Sequence, residues 1–185
     1  MQTTTRILPF FRTDDRRAAL HAEATRWMGT PFFANAAILG QGVDCVRLVH
    51  EIYVAIGACP PLALPDYKLD HAKHSTHTQL LRFLLDTDGL RGRLAMAPPL
   101  PDKLQPGDLV GLQSGRIDHH LALVDLHGEA IHAVEDYGVI RTPLTEEKFA
   151  SRMLYALRPF EKVESRKEEV EIQAGATAPN TPSER

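Results

Sequence analysis

Cys45 follows Asp44 at the start of an apolar helical run, and two histidines, His120 and His132, stand far downstream in strand-like segments. A thiol becomes a nucleophile when something holds it as thiolate, and an imidazole oriented by a third polar group does this. The order of the three residues therefore fits a cysteine hydrolase. Over residues 43–57, Val49, Ile52, Tyr53 and Ile56 fall on one 3.6-residue stripe, and Gly57 supplies a stop signal. Cys45 then lies in the first helical turn with Asp44 as N-cap. Unpaired N–H groups and the positive end of the helix dipole are expected there to lower the thiol pKa.

A cysteine in an apolar helix is commonly a small buried hydrophobe, and Cys59 fits that description. Cys45 differs because it stands behind the glycine-rich approach Leu39-Gly40-Gln41-Gly42, where backbone is exposed and a substrate can come close. A helix running to Gly57 would separate the two cysteines by about 18 Å or more, so both are expected as free thiols. Hairpin parity decides which histidine faces Cys45. A two-residue turn at His127-Gly128 would put His119 on the face of His132, whereas an odd-length loop would put His120 there, and the local pattern leaves both open. His71, His74 and His77 recur every third residue, but neither a cysteine pair nor a His-Glu-x-x-His spacing accompanies them. They read as a solvated face shared with Asp66 and Asp70, and neither metal nor cofactor is expected. Asp118 is an alternative imidazole orienter that reads as a solvent-facing neighbour of His119.

The elements that must position these residues run helices first, strands later. Residues 14–28 carry helix formers up to the breaker Gly29-Thr30-Pro31, the Cys45 helix follows, and residues 76–85 read as a third helix. From Pro106-Gly107-Asp108 the apolar runs shorten to strand length, at residues 109–112, 120–126, 130–135, 139–142 and 154–158. This order predicts an α+β domain with the Cys45 helix packed on an antiparallel sheet. A chain of 185 residues that is 43% hydrophobic builds one core. The expected organisation is an N-terminal arm (1–13), a single domain (14–160) and a polar, disordered tail (161–185). A net charge of -3, with Lys and Arg spread along the chain, gives no nucleic-acid footprint. Neither a signal peptide nor a membrane span is visible, so synthesis in the cytoplasm is expected, with any action at a cell wall or in a virion reached by another route.

Together these residues resemble the NlpC-type cell-wall cysteine peptidases, and most closely their phage and prophage tail-associated branch. The resemblance rests on Trp27-Met28-Gly29-Thr30-Pro31-Phe32, Gly42-Val43-Asp44-Cys45 with Leu48-Val49, Gln105-Pro106-Gly107-Asp108-Leu109-Val110, His120-Leu121-Ala122-Leu123-Val124, Ile131-His132-Ala133 before Gly138-Val139, and Ala156-Leu157-Arg158-Pro159. It implies a papain-like fold, with N-terminal helices on an antiparallel sheet of five to six strands. It also implies hydrolysis of the γ-D-glutamyl bond of peptidoglycan stem peptides. Carried over by position, Cys45 is the nucleophile, His120 the base and His132 the orienting residue, which selects His120 over His119. The expected partners are peptidoglycan-derived peptides and phage tail proteins, and Asp44, Arg47, Phe32 and His119 are the expected oxyanion- or substrate-side residues.

The chain departs from the family beside the nucleophile. Val46-Arg47 replace a small or hydroxyl residue and glycine, Phe32 replaces a tyrosine, and Phe33-Ala34-Asn35-Ala36 replace a Gly-Gly pair. Arg47 then narrows the cleft or holds a substrate carboxylate, unless it pairs with Glu51 along the helix. Two further readings stay open, a tail component that keeps the fold without turnover and an acyltransferase using the same three residues.

Overall fold

Alternating apolar residues in the second half of the chain form a sheet, and the apolar stripe of the Cys45 helix covers it. The structure, a computed structural model, describes residues 3–66, 79–115 and 117–166. In chain order its elements are β1 (Thr3–Pro9), α1 (Asp14–Arg26), β2 (Ala37–Ile38), β3 (Gly42–Val43), α2 (Cys45–Ala55), α3 (Gln79–Asp86) and β4 (Leu94–Ala97). These are followed by β5 (Leu109–Ser114), β6 (Ile117–Val124), β7 (Glu129–Val134), β8 (Gly138–Pro143), α4 (Glu147–Ala150) and β9 (Met153–Arg166). The main sheet runs β1-β9-β5-β6-β7-β8, with β4 also paired to β9, and every pairing is antiparallel. The α+β class follows the sequence pattern.

α2 is capped at its start by Asp44 and is terminated beyond Ile56 by Gly57 at φ +72°, a conformation that glycine adopts without strain. Its Leu48 and Ile52 are fully buried and join Leu121, Leu123, Ile131 and Leu157 of the sheet in one core. Each such side chain contributes about 1.5–3 kcal/mol of burial. On the opposite face Val110, Leu112, Ala122, Val124 and Ala130 pack with Leu144 and Phe149. β6 is thus buried on both faces, which holds its histidine-bearing end in place.

The sheet is larger than the expected five to six strands, having seven among the described residues. β4 is one addition. The other is β1, which lies inside the expected N-terminal arm and pairs Thr3–Pro9 with residues 160–166 of β9. Residues 161–166, expected as the start of a disordered tail, are therefore strand, because backbone pairing satisfies them without a buried face. Glu161 receives hydrogen bonds from Arg12 and Arg16, tying this ribbon to the start of α1. Residues 167–185, and residues 76–78 of the expected third helix, lie outside the described residues.

Candidate active site

Asp44 is wholly buried, and its carboxylate organises the start of α2. Oδ1 accepts from the Arg47 backbone N–H at 2.8 Å, while Oδ2 accepts from the Asn35 N–H at 2.8 Å and from Arg47 Nη1 at 2.9 Å. The expected N-cap is present, and it also draws in the loop before β2. Cys45 follows it, 4% exposed. Its thiol is not lowered as expected but pushed up to about 12, chiefly by burial and further by the Asp44 carboxylate. The N–H groups of Leu121, Val46 and Cys45 pull the other way and only partly offset this. Cys59 is buried as well, and both cysteines are free thiols.

The β6–β7 hairpin resolves the parity question. Leu123 pairs with Ile131 and Val124 with Ala130, so the connection is odd in length and passes through His127 at φ 62°. His120 and His132 consequently share a face. His120 Nε2 lies 2.7 Å from His132 Nδ1, and His132 Nε2 lies 2.9 Å from Thr142 Oγ1. For His120 to act as a base through Nδ1, its proton must sit on Nε2 and be donated to His132 Nδ1. His132 must then carry its own proton on Nε2 and donate it to Thr142. Thr142 is 8% exposed and stands at the far end of this chain of hydrogen bonds, where its hydroxyl oxygen can accept that proton. Burial, reinforced by His132, Arg152 and His119, lowers His120 to about 3, and burial and Arg152 lower His132 to about 4. Both rings are neutral at neutral pH, the form that can accept a proton.

Two cavities meet at the thiol. Cys45, His119, His120 and His132 line one of about 200 Å³, with Phe32 on its wall. A second, of about 240 Å³, opens from Cys45 and His119 toward Leu64, Leu80 and Phe83. His119 reaches both because the β5–β6 register shifts, Leu112 pairing with His120 and Gln113 with Asp118, which leaves His119 as an extra residue in a bulge. Phe32 is held by an isolated bridge to Val43, immediately before the capping residue.

Arg47 is only 8% exposed, and its guanidinium turns onto the protein itself. Nη1 donates to Asp44 and to Asn35 Oδ1 at 3.2 Å, and Nη2 donates to Asp66 Oδ1 at 2.9 Å and the Pro65 carbonyl at 3.4 Å. Glu51, the alternative partner, meets His50 instead. Asp118 is not solvent-facing. It is 1% exposed, and its Oδ2 accepts from the Leu81 N–H at 2.9 Å and the Tyr155 hydroxyl at 3.0 Å. It thereby joins α3 to the sheet rather than orienting an imidazole. Tyr155 lies across Gly111, where an added Cβ would stand 2.1 Å from the ring.

His71, His74 and His77 lie outside the described residues. Among the described residues no cluster of His, Cys, Asp or Glu is arranged to hold a metal, and no helix is long and apolar enough to cross a membrane. Thr142, Arg152 and Asp118 are the residues that sequence reasoning missed or misplaced. For Thr142 the available signal was a hydroxyl two residues beyond Ile140, on the face that pairs with His132.

No family model matches the sequence, and no curated protein matches it. Among solved structures, a lipoprotein-like protein of the NLP/P60 family from Staphylococcus aureus is similar, with a TM-score of 0.52 and 19% identity over 82% of this chain and 43% of that one. The chain has the NLP/P60 fold. An NlpC/P60 family protein from Bacillus cereus is similar at TM-score 0.47 and 19% identity, over 76% of this chain and 39% of that one. The NlpC/p60 domain of the peptidoglycan hydrolase SagA is similar at TM-score 0.43 and 19% identity, over 76% of this chain and 96% of that one. The chain spans less than half the length of the first two. Within the NLP/P60 fold, the thiol at the start of α2 and the histidines of β6 and β7 are brought to one cavity.

Proposed function

We propose that the chain is a cysteine peptidase or amidase acting on peptidoglycan stem peptides, with Cys45 as nucleophile, His120 as general base and His132 as the residue that orients it. The observation that carries this reading is the His120–His132–Thr142 chain of hydrogen bonds ending at a cavity lined by Cys45. The raised thiol and lowered imidazole describe a neutral resting pair, so proton transfer accompanies attack instead of preceding it. The Cys45 sulfur attacks the amide carbonyl as its proton passes to His120. The backbone N–H groups at the helix start, that of Cys45 among them, are the donors assigned to the developing oxyanion. Collapse breaks the C–N bond, His120 gives its proton to the leaving amine, and a thioester remains on Cys45. Water then attacks the thioester with its proton taken by His120, releasing the acid and restoring the thiol.

The γ-D-glutamyl bond and a tail-associated setting are supported by the sequence resemblance. Incubation with defined muropeptides, followed by mass spectrometry, tests the activity. The expected result is paired fragments whose masses sum to the parent plus one water, absent with Cys45→Ala. A folded parent protein that leaves every muropeptide intact would overturn the reading. Co-purification with tail proteins tests the setting, and their absence from the purified complex counts against it.

A further inference from the structure

We propose that Arg152 is a specificity-determining residue that binds a carboxylate carried on the amine side of the scissile bond. This rests on the stem-peptide reading of the site, since such substrates carry free carboxylates. The side follows from proton transfer. His120 gives its proton to the leaving amine, and among the described residues Cys45, His119, His120, His132, Glu135 and Arg152 border one cavity. The amine half of the substrate therefore lies where Arg152 can meet it.

The stem of Arg152 is held while the tip of its guanidinium is left open. Its backbone N–H donates to the Phe149 carbonyl at 3.1 Å, its carbonyl accepts from the Gln113 N–H at 2.8 Å, and its Nε donates back to the Gln113 carbonyl at 2.7 Å. Among the described residues nothing accepts from Nη1 or Nη2, and no carboxylate pairs with this cation, Glu135 of the same cavity included. Arg47, by contrast, meets both Asp44 and Asp66. Arg152 is also exposed, so a ligand can reach it. A planar fork fixed at one end and open at the other suits a bidentate hold on a carboxylate, with little side-chain freedom left to lose.

The position of Arg152 has a consequence for the reaction. After burial, Arg152 is what holds His132 down, and it joins His132 and His119 in opposing charge on His120. His120 becomes imidazolium when it takes the thiol proton, so an unpaired Arg152 works against that step. A carboxylate seated on Arg152 offsets its charge, and one contact then both binds the substrate and favours proton uptake.

The test compares kcat/KM of the full chain and its Arg152→Gln variant on four synthetic peptides, with mass spectrometry of the fragments. The first is L-Ala-γ-D-Glu-L-Lys with both carboxylates free. The second has the lysine carboxyl amidated, and the third has the glutamyl α-carboxyl amidated instead. The fourth is the second with lysine replaced by diaminopimelate, whose free carboxylate lies on the side chain. The parent should cleave the second peptide about tenfold or more slowly than the first and third. Arg152→Gln should slow the first and third by a similar factor yet speed the second, because the cation opposing the imidazolium is gone. Arg152→Lys, which keeps the charge without the fork, should fall between. Cleavage of the fourth peptide as fast as the first supports a side-chain carboxylate on Arg152, and cleavage as slow as the second supports the main-chain one. Thermal melts confirm that each variant is folded. If the parent is indifferent to the lysine carboxyl, if the third peptide is the slow one, or if Arg152→Gln slows the first and second alike, this proposal is overturned and the stem-peptide reading stands. A folded parent that cuts none of the four overturns that reading and the proposal with it.

Discussion

The chemistry at Cys45 depends on which of two opposed influences is larger. Three N–H groups favour the thiolate, while burial and the neighbouring Asp44 carboxylate favour the thiol, and the latter pair prevails. Iodoacetamide should therefore alkylate Cys45 slowly at pH 6 and faster toward alkaline pH, as followed by peptide mass mapping. Cys59, raised to about 11, is the internal comparison. Rapid labelling of Cys45 at pH 5–6 would mean a preformed thiolate–imidazolium pair and would contradict this account. Thr142 offers a second prediction, because in the proton order that lets His120 act as a base the Thr142 oxygen accepts the proton carried on His132 Nε2. Thr142→Val should lower kcat roughly tenfold or more with little change in KM, a part of the general-base contribution. Thr142→Ser should restore it, since the hydroxyl acceptor returns. His132→Ala should cost more than Thr142→Val and less than Cys45→Ala. Equal activity of Thr142→Val and the parent would leave proton order to something else.

Among the elements, the junction before α2 holds the site together. Arg47 meets two carboxylates of different segments, Asp44 at the helix cap and Asp66 beyond the helix, and it also meets Asn35. Removing it leaves the Asp44 carboxylate fully buried without its cation, so Arg47→Ala should destabilise the protein by about 3–5 kcal/mol in urea unfolding. A residue that serves only as a substrate clamp would show no such loss. The sequence exposed much of this level directly. Five strands of the second half have buried faces, and that burial is written as apolar runs. β1 and the end of β9 were not legible because they pair as a ribbon whose residues are largely exposed, as Thr5, Arg6 and Ile7 are, so no face needed to be apolar. At the site, the order of Cys45, His120 and His132 could be read along the chain. Thr142, the α3 wall and the buried Asp118 could not, because each reaches its partner through register or packing between distant segments.

For the molecule as a whole, the two neutral imidazoles couple folding to pH. His120 and His132 titrate near 3 and 4 in the folded chain, against 6.5 when exposed, so the unfolded chain binds more protons throughout the interval between. The sign is then fixed. Stability is full above about 6.5 and falls as pH drops, because protonation rewards unfolding until the folded rings themselves take up protons. Each ring contributes a slope of up to about 1.4 kcal/mol per pH unit in that window. Glu161, lowered chiefly by its hydrogen bond from Arg16 and also by Arg12, acts in the same direction, but its ordinary value is 4.5 and its loss belongs to more acidic solution. Between pH 6.5 and 4.5 the histidine pair should therefore account for most of the loss in stability from these shifted groups. Urea unfolding at half-unit pH steps measures this directly, and His120→Gln or His132→Gln should remove close to half of the slope while the double variant flattens it. A parent protein equally stable at pH 7 and pH 4.5 would show that these rings exchange protons freely while folded, and the neutral resting pair assigned to the site would be lost with it.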